Sequence, residues 1–275
     1  MIKVAILGCG PTGLLAAHAC AQNGVEHKVF SKRRKSFLFG SQYLHNPIPG
    51  LDVGPGAPVK YVTIGSPEEY RRKTHGKFWD GIIAPEDFET DHMAWNIRHA
   101  YDLLWQRYGR YVVDYEIVQD DHHGTFRSTW MDLALSHFDL VVSTVPRRVW
   151  KMPGEEFVYS EGWAAGDAPE HGLFVPYDCD DNTIICDGSN DVSWNRLSRV
   201  FGYTTVEWPN DFEQKPPIAN VAKIMKPLRY MENGSDNPAN QPKVLHVGRY
   251  GKWQKGVVVT DAYDDVDRRL KEMKA

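Results

Sequence analysis

The sequence predicts an α/β fold built on a parallel sheet, with a smaller β-rich (α+β) domain interleaved in it, and three observations carry that prediction. A strand, a glycine-rich loop, a helix and a second strand follow one another at the N-terminus. Further apolar strand-like runs recur at Tyr111–Val118, Phe138–Thr144 and Lys243–Arg249. Between the last two, from about Lys151 to Trp208, short β-like segments are punctuated by Gly, Pro, Asn and Asp.

The chain of 275 residues, with 42% hydrophobic and 25% charged residues, has room for one large domain or two interleaved ones. A net charge of −4 leaves no global excess of positive charge for nucleic acid or anionic lipid, so neither is expected as an obligatory partner. No apolar run reaches the roughly 18 residues that would cross a bilayer. Met1–Leu7 runs straight into glycines and reads as a strand, not a signal peptide. The four cysteines, Cys9, Cys20, Cys179 and Cys186, lack metal-type spacing such as C-x-x-C, which points to a reduced, cytoplasmic chain.

Taken in order, residues 3–7 are a continuous apolar strand, and Leu14 to Ala21 a helix that ends near Gly24. Lys28–Phe30 is the second strand. Met93, Ile97, Ala100, Tyr101, Leu104 and Tyr108 recur at helical spacing and predict a helix from about His92 to Tyr108. Thr183–Cys186 and Arg199–Glu207 read as strands of the β-rich part, and residues 232–242 as a loop. A closing helix carries Val259, Ala262, Tyr263, Val266 and Leu270 on one face. The nucleotide-binding unit is therefore expected to be discontinuous, over 1–55, 92–150 and 236–275, with 56–91 and 151–235 forming the substrate or cap unit.

Gly8-Cys9-Gly10-Pro11-Thr12-Gly13 has the G-x-G-x-x-G spacing, placed between a strand and a helix. Gly8 permits a tight turn, Gly10 lets the backbone approach a pyrophosphate, and Gly13 lets helix and strand pack closely. The helix N-terminus then offers free N–H groups and a positive dipole end to phosphates. These residues predict a Rossmann-type dinucleotide site. Where an acidic residue ordinarily takes the adenosine ribose, this chain has Ser31, followed by Lys32, Arg33, Arg34 and Lys35. That run could hold the 2′-phosphate of NADP or be a solvated basic turn beside FAD phosphates, and locally both stay open.

Four further segments bear on the choice: Gly40-Ser41-Gln42-Tyr43-Leu44-His45-Asn46, Val145-Pro146, Trp194-Asn195-Arg196-Leu197-Ser198 and Gly248-Arg249-Tyr250-Gly251-Lys252-Trp253. With the N-terminal loop, their order resembles the glutathione-reductase-type FAD oxidoreductases, in the branch of UDP-galactopyranose mutases, amine oxidases and protoporphyrinogen oxidases. The resemblance implies FAD as cofactor. It sets Gly40 to His45 against the flavin, with Gln42 where mutases carry a first histidine. It makes Arg196 the counterpart of the arginine that grips a substrate diphosphate. It aligns Gly248 to Lys255 with a G-R-x-G-x-Y-x-Y segment whose tyrosines are both replaced.

Independently of the resemblance, Gly248-Arg249, Gly251 and Gly256 ahead of a helix beginning near Val257 suggest a second helix N-terminus, where a flavin gathers negative charge on reduction. The expected cofactor contacts are thus the glycine loop, Ser31, Lys32, Arg33, Gly40, Ser41, Gln42, Ile117, Gly248, Arg249, Gly256 and Val257. His45, Arg249 and Trp253 are the candidate catalytic residues, and Tyr43 and Arg196 the substrate contacts. Asp120-Asp121-His122-His123 reads as a solvated hairpin, because adjacent residues in a turn point apart, and no metal is expected. Ala165-Gly166-Asp167-Ala168 reads as a loop, Arg147-Arg148 as a surface pair, and Trp194 and Trp208 as core.

The function expected is an FAD-dependent oxidoreductase that moves a hydride from a substrate C–H, of amine or alcohol type, to flavin N5. A mutase-like flavin isomerase acting on a nucleotide sugar is the alternative. An NADP-binding reductase or non-catalytic nucleotide-binding module is a third. The partner is a small molecule, anionic or amine-bearing, and the oligomeric state is open, a homodimer included.

Overall fold

The computed structural model describes residues 1–32, 34–39, 42–78, 92–114, 137–150, 155–209, 216, 218–232 and 244–275. Its first sheet is wholly parallel. It consists of β1 (Lys3–Leu7), β2 (Glu26–Ser31), β5 (Val112–Asp114), β6 (Leu140–Ser143) and β12 (Val244–His246), in the order β12-β6-β1-β2-β5. Val4, Ala5, Ile6 and Leu7 are buried on both faces, as a central parallel strand requires.

Helix α1 (Pro11–Gln22) packs against α3 (Ile97–Tyr108) and α5 (Asp261–Lys274), and every α1 residue from Gly13 to Cys20 is buried. The one polar member of that run, His18, is satisfied at both ring nitrogens. Nε2 donates to the Pro49 carbonyl at 2.7 Å, which leaves Nδ1 to accept from the Tyr108 hydroxyl at 2.7 Å.

The second sheet has seven strands. To β4 (His92–Ala94) and β3 (Ala57–Ile64) it adds β7 (Glu155–Gly166), β8 (Thr183–Asp187), β9 (Arg196–Val200), β10 (Tyr203–Pro209) and β11 (Val221–Glu232), in the order β11-β7-β10-β9-β8-β3-β4. All its pairs are antiparallel except β3 with β8. Helix α2 (Pro67–His75) lies against this sheet, held by Asn195 Nδ2 donating to Thr74 Oγ1 at 2.9 Å and by Lys73 donating to the Ser189 and Val192 carbonyls. Gly188 admits the helix, since a Cβ there would strike the Tyr70 backbone nitrogen.

The α/β class and the parallel sheet with its β-rich companion agree with the sequence reading, whereas several boundaries differ. The 92–108 segment is a strand and then a helix, because Asn96 caps α3 by accepting from the Arg98 and His99 amides. Arg199–Glu207 spans two strands, turned at Phe201-Gly202, both at positive φ. Ala165-Gly166 ends the twelve-residue β7 and is no loop, and Asp167 beyond it accepts from the Val175 and Thr204 amides. Among the described residues, no helix is long and apolar enough to cross a membrane.

Candidate functional site

The carboxyl ends of β1, β6 and β12 meet in three glycine-dependent contacts. Gly8 has φ +101, and any Cβ on it would collide with Thr144 Oγ1, which itself donates to the Leu7 carbonyl at 2.7 Å. A Cβ on Gly13 would run into the Gly8 carbonyl oxygen, so the helix can sit this close only without a side chain there. Gly248 has φ +71, and a Cβ would lie 2.5 Å from Thr12 Cγ2.

Gly10 differs from these: a Cβ on it would meet nothing within 4 Å. It stands at the N-cap of α1, where no side chain caps the helix, no acidic residue occupies the first turn and Pro11 has no N–H to satisfy. An uncapped helix end beneath open space is what a bound phosphate group requires. The loop residues present therefore fit a dinucleotide.

After β12 the chain enters a short helix, α4 (Gly248–Lys252), and the next helix begins only at Asp261. The helix start expected near Val257 is thus displaced, because Gly256 at φ +84 and the segment to Thr260 stay non-helical. Trp253 was expected beside the flavin. It is fully buried instead, edge-on to Phe157 and Tyr159, with Nε1 donating to the Val158 carbonyl at 3.2 Å.

Between these strand ends and the second sheet lies a cleft of about 380 Å³. Thr12, Thr144, Gly248, Arg249, Gly256 and Val257 line one side, and Gln42, Tyr43 and His45 approach along it. Gln42 Nε2 donates to Thr205 Oγ1 at 3.2 Å, and the Tyr43 and Tyr61 hydroxyls share a hydrogen bond of 2.8 Å. His45 packs on the Tyr43 ring at 4.7 Å, and burial, then the charge of His92, pushes its pKa down and keeps the imidazole neutral.

The opposite side comes from α2, β9, β10 and β11. Glu207, 2% exposed, accepts from Lys226 Nζ at 2.6 Å and from the Arg196 guanidinium. Burial alone would raise the Glu207 pKa, but these two cations outweigh it and hold the carboxyl at about 2. Lys226 is aimed inward just before a bulge at Pro227, whose missing N–H breaks the β7–β11 register. The Pro227 carbonyl in turn lies 3.4 Å from an Arg249 guanidinium nitrogen. His75 also faces this cleft, and burial together with Lys226, Arg71, Lys255 and Arg249 lowers its pKa to about 3.

The basic run after β2 is solvent-exposed at Lys32, Arg34 and Lys35. Arg34 pairs with Asp102 and lies over the Tyr101 and Trp105 rings, because a flat guanidinium stacks on aromatic faces as readily as it pairs. Ser31 hydrogen-bonds to the Cys9 thiol, so its hydroxyl is engaged within the loop. Arg147 and Arg148 are not a bare surface pair: Arg147 sits 3.9 Å over the Tyr230 ring and Arg148 stacks on Tyr159 and Trp253. Arg33, Gly40, Ser41, Ile117 and the Asp120–His123 hairpin lie outside the described residues. Among those described, no group of three or more His, Cys, Asp and Glu side chains could hold a metal.

In structure the chain is similar to a flavoprotein/dehydrogenase from Cytophaga hutchinsonii, with a TM-score of 0.55 at 13% identity over 98% of this chain and 77% of the other. It is similar to the tetrameric form of 2-methyl-3-hydroxypyridine-5-carboxylic acid oxygenase, with 0.52 at 17% over 99% and 88%. A triple mutant of the flavin-dependent brominase Bmp2 gives 0.53 at 12% over 98% and 78%. The chain shares its fold with flavoproteins. No protein-family model matches the sequence, and no curated protein does either.

Of the residues expected from sequence, the structure gathers Thr12, Gln42, Tyr43, His45, Arg196, Gly248, Arg249, Gly256 and Val257 around one cleft and leaves Trp253 behind its wall. Sequence reasoning missed Tyr61, Tyr70, Arg71, His75, Glu207 and Lys226, which line it too. One signal for α2 was present. Ser66-Pro67-Glu68-Glu69 is a capping box, with Ser66 Oγ accepting from the Glu69 amide at 3.1 Å and Glu69 accepting from the Ser66 amide at 2.8 Å.

Proposed function

We propose that this chain is an FAD-dependent oxidoreductase that takes a hydride from a substrate C–H of amine or alcohol type. The observation that carries the reading is Gly10. Its open face at the uncapped start of α1 is two residues from Thr12, which packs against Gly248 and with it borders the cleft. In this reading the glycine loop holds the pyrophosphate, Ser31 and Lys32 take the adenosine side, and Gly248, Gly256 and Val257 border the flavin ring. FAD, when bound, supplies the electron acceptor at its N5. The chain's own residues do the rest: Tyr43 and Arg196 orient the substrate and neutral His45 is available to take a proton. The fold shared with flavoproteins supports this assignment.

The visible spectrum of the purified protein and the cofactor released on heating test it. A yellow protein that yields FAD is expected, and a colourless protein retaining NADPH overturns it in favour of the nucleotide-binding module. A second reading, a flavin-dependent isomerase, draws on Arg196 and Arg249 facing the same cleft, where both could reach a diphosphate. Dithionite-reduced protein incubated with UDP-galactofuranose separates the two: formation of UDP-galactopyranose favours the isomerase, and no product removes it.

A further inference from the structure

A second cavity, of about 480 Å³, shares no residue with the cleft. It opens between α3, the segment after β2, and a group of residues from the β-rich side that includes Tyr203. Its volume is in the range that small-molecule sites occupy. Four aromatic side chains line it, Phe37, Tyr101, Trp105 and Tyr203. Two guanidinium groups lie on those rings: Arg98 is 4.1 Å from the centre of Tyr203, and Arg34 covers Tyr101 and Trp105. A flat cation stacked on a ring still offers its other face to a second planar group.

The two guanidinium groups differ in what holds them. Arg34 pairs with Asp102. Arg98 makes no hydrogen bond and no ion pair among the described residues, and each of its guanidinium nitrogens keeps accessible surface. Burial lowers its pKa, with Tyr203, Asp167 and Glu170 opposing that shift. The lining is balanced in charge, since Arg34, Lys35 and Arg98 are matched by Asp102, Asp167 and Glu170, so nothing there favours a bare ion of either sign. Both Asp167 oxygens are taken by the Val175 and Thr204 amides. Gln106 and Glu170, at exposed positions, make no hydrogen bond among the described residues. Ring faces flanked by a free guanidinium, a free amide and a free carboxylate suit a flat heteroaromatic group whose edge carries both donors and acceptors. The separate stacks on Tyr203 and on Tyr101 with Trp105 suit a fused pair of rings better than a single one.

We propose that this cavity is a second ligand site, for a purine nucleoside or its 5′-phosphate, with the base stacked on Arg98 and its edge met by Arg98, Gln106 and Glu170. The site goes beyond the oxidoreductase reading, whose cofactor rests on the glycine loop, Ser31 and Lys32, none of which lines it. Tyr101 stands between the two, its ring in the cavity wall and its hydroxyl spent on the Cys9 carbonyl and the Lys35 amide. A link to the cleft is present as well. Phe37 lines the cavity and stacks on Phe39 at 5.3 Å with the planes 11° apart, and Phe39 lines the cleft. An occupant that shifts Phe37 therefore shifts a wall of the cleft.

The test uses the protein with the flavin it carries. Adenosine and 5′-AMP are titrated in separate arms, with uridine as a single-ring control and ribose 5-phosphate as a control without a base. Binding is read by calorimetry, and the link to the cleft by the flavin absorption bands. Saturable binding of adenosine or 5′-AMP is expected, and the tighter arm tells whether the phosphate contributes. Arg98→Lys keeps the charge but loses the plane, and should weaken binding roughly tenfold. Gln106→Ala, at an exposed position, should weaken it less while leaving the fold intact. Uridine or ribose 5-phosphate binding as well as adenosine overturns the proposal, as does purine binding unchanged in both variants. Purine binding that excess FAD abolishes also overturns it, because the cavity then belongs to the cofactor's own site. A yellow protein that binds neither purine overturns this inference alone. A colourless protein overturns the functional reading, and calorimetry with adenosine then decides the second site by itself.

Discussion

The Glu207 carboxylate accepts from the Lys226 ammonium at 2.6 Å while the Arg196 guanidinium closes on its other oxygen, so one buried anion holds two buried cations in place. Removing one member of such a group leaves the others buried and uncompensated, at a cost of about 3–5 kcal/mol. Glu207→Gln should therefore lower the urea midpoint by that much stability with an unchanged slope. A loss below about 1 kcal/mol would mean that the cluster relaxes into solvent and is not the fixed wall described above.

Gly10 and Gly13 make opposite predictions. Gly13→Ala forces a Cβ into the Gly8 carbonyl oxygen and should destabilise the whole N-terminal unit. Gly10 has φ −67 and open space above it, so Gly10→Ala should fold with an ordinary melting temperature. Its methyl group occupies the position a pyrophosphate would approach. The expected result is native stability with cofactor retention reduced roughly tenfold or more, read from the absorbance of protein after dialysis. Full cofactor retention in Gly10→Ala would remove the phosphate cradle from the argument.

How much of this was legible in the sequence follows from the range of the interactions. The glycine loop was legible because strand, loop and helix are contiguous, with Gly13 packed on the Gly8 carbonyl and Gly8 on the adjacent strand end at Thr144. The cationic wall was not. Arg196, Glu207 and Lys226 become neighbours only when β9 pairs with β10, β10 with β7 and β7 with β11, and nothing local marks Glu207 as buried. Trp253 was misplaced for a related reason: it follows the glycine-rich segment in sequence, but it adopts a left-handed conformation at φ 54 that turns its ring into the Phe157–Tyr159 core. The Ala165-Gly166 pair looked like a loop because no continuous apolar run precedes it and no helical pattern follows it. Its pairing with Thr205 and Val206 on one side, and of Ala165 with Val221 on the other, makes it strand all the same.

The α2 capping box is a local device with a remote consequence, because α2 carries Arg71 and His75 to the cleft. Ser66→Ala removes the acceptor for the Glu69 amide and should cost about 1 kcal/mol. Hydrogen exchange should quicken across residues 67–75 while the α1 amides keep their protection. Uniform exchange throughout the chain would show that α2 is held by the sheet alone.

Stability should fall as the pH drops from about 6.5. His75 is held near 3 by burial and by Lys226, Arg71, Lys255 and Arg249, and His246 near 4 by burial and Arg147. Burial also lowers His18, His27 and His45. In the unfolded chain these imidazoles take up protons as the pH passes about 6.5, whereas the folded protein takes them up only at lower pH, for His75 and His246 near 3 and 4. The unfolded state then binds more protons, so stability is complete above about 6.5 and is lost progressively towards 3. Each histidine that stays neutral in the fold contributes at most about 1.4 kcal/mol per pH unit below its unfolded pKa. Urea unfolding at pH 7 and pH 5 keeps clear of the carboxylates, including Glu207, whose own contribution is lost only between about 4.5 and 2. His75→Gln, which cannot be charged, should lose about 1–2 kcal/mol less than the parent between those two pH values. Equal losses in parent and variant would place the pH dependence on the other histidines and free His75 of the cationic field assigned to it.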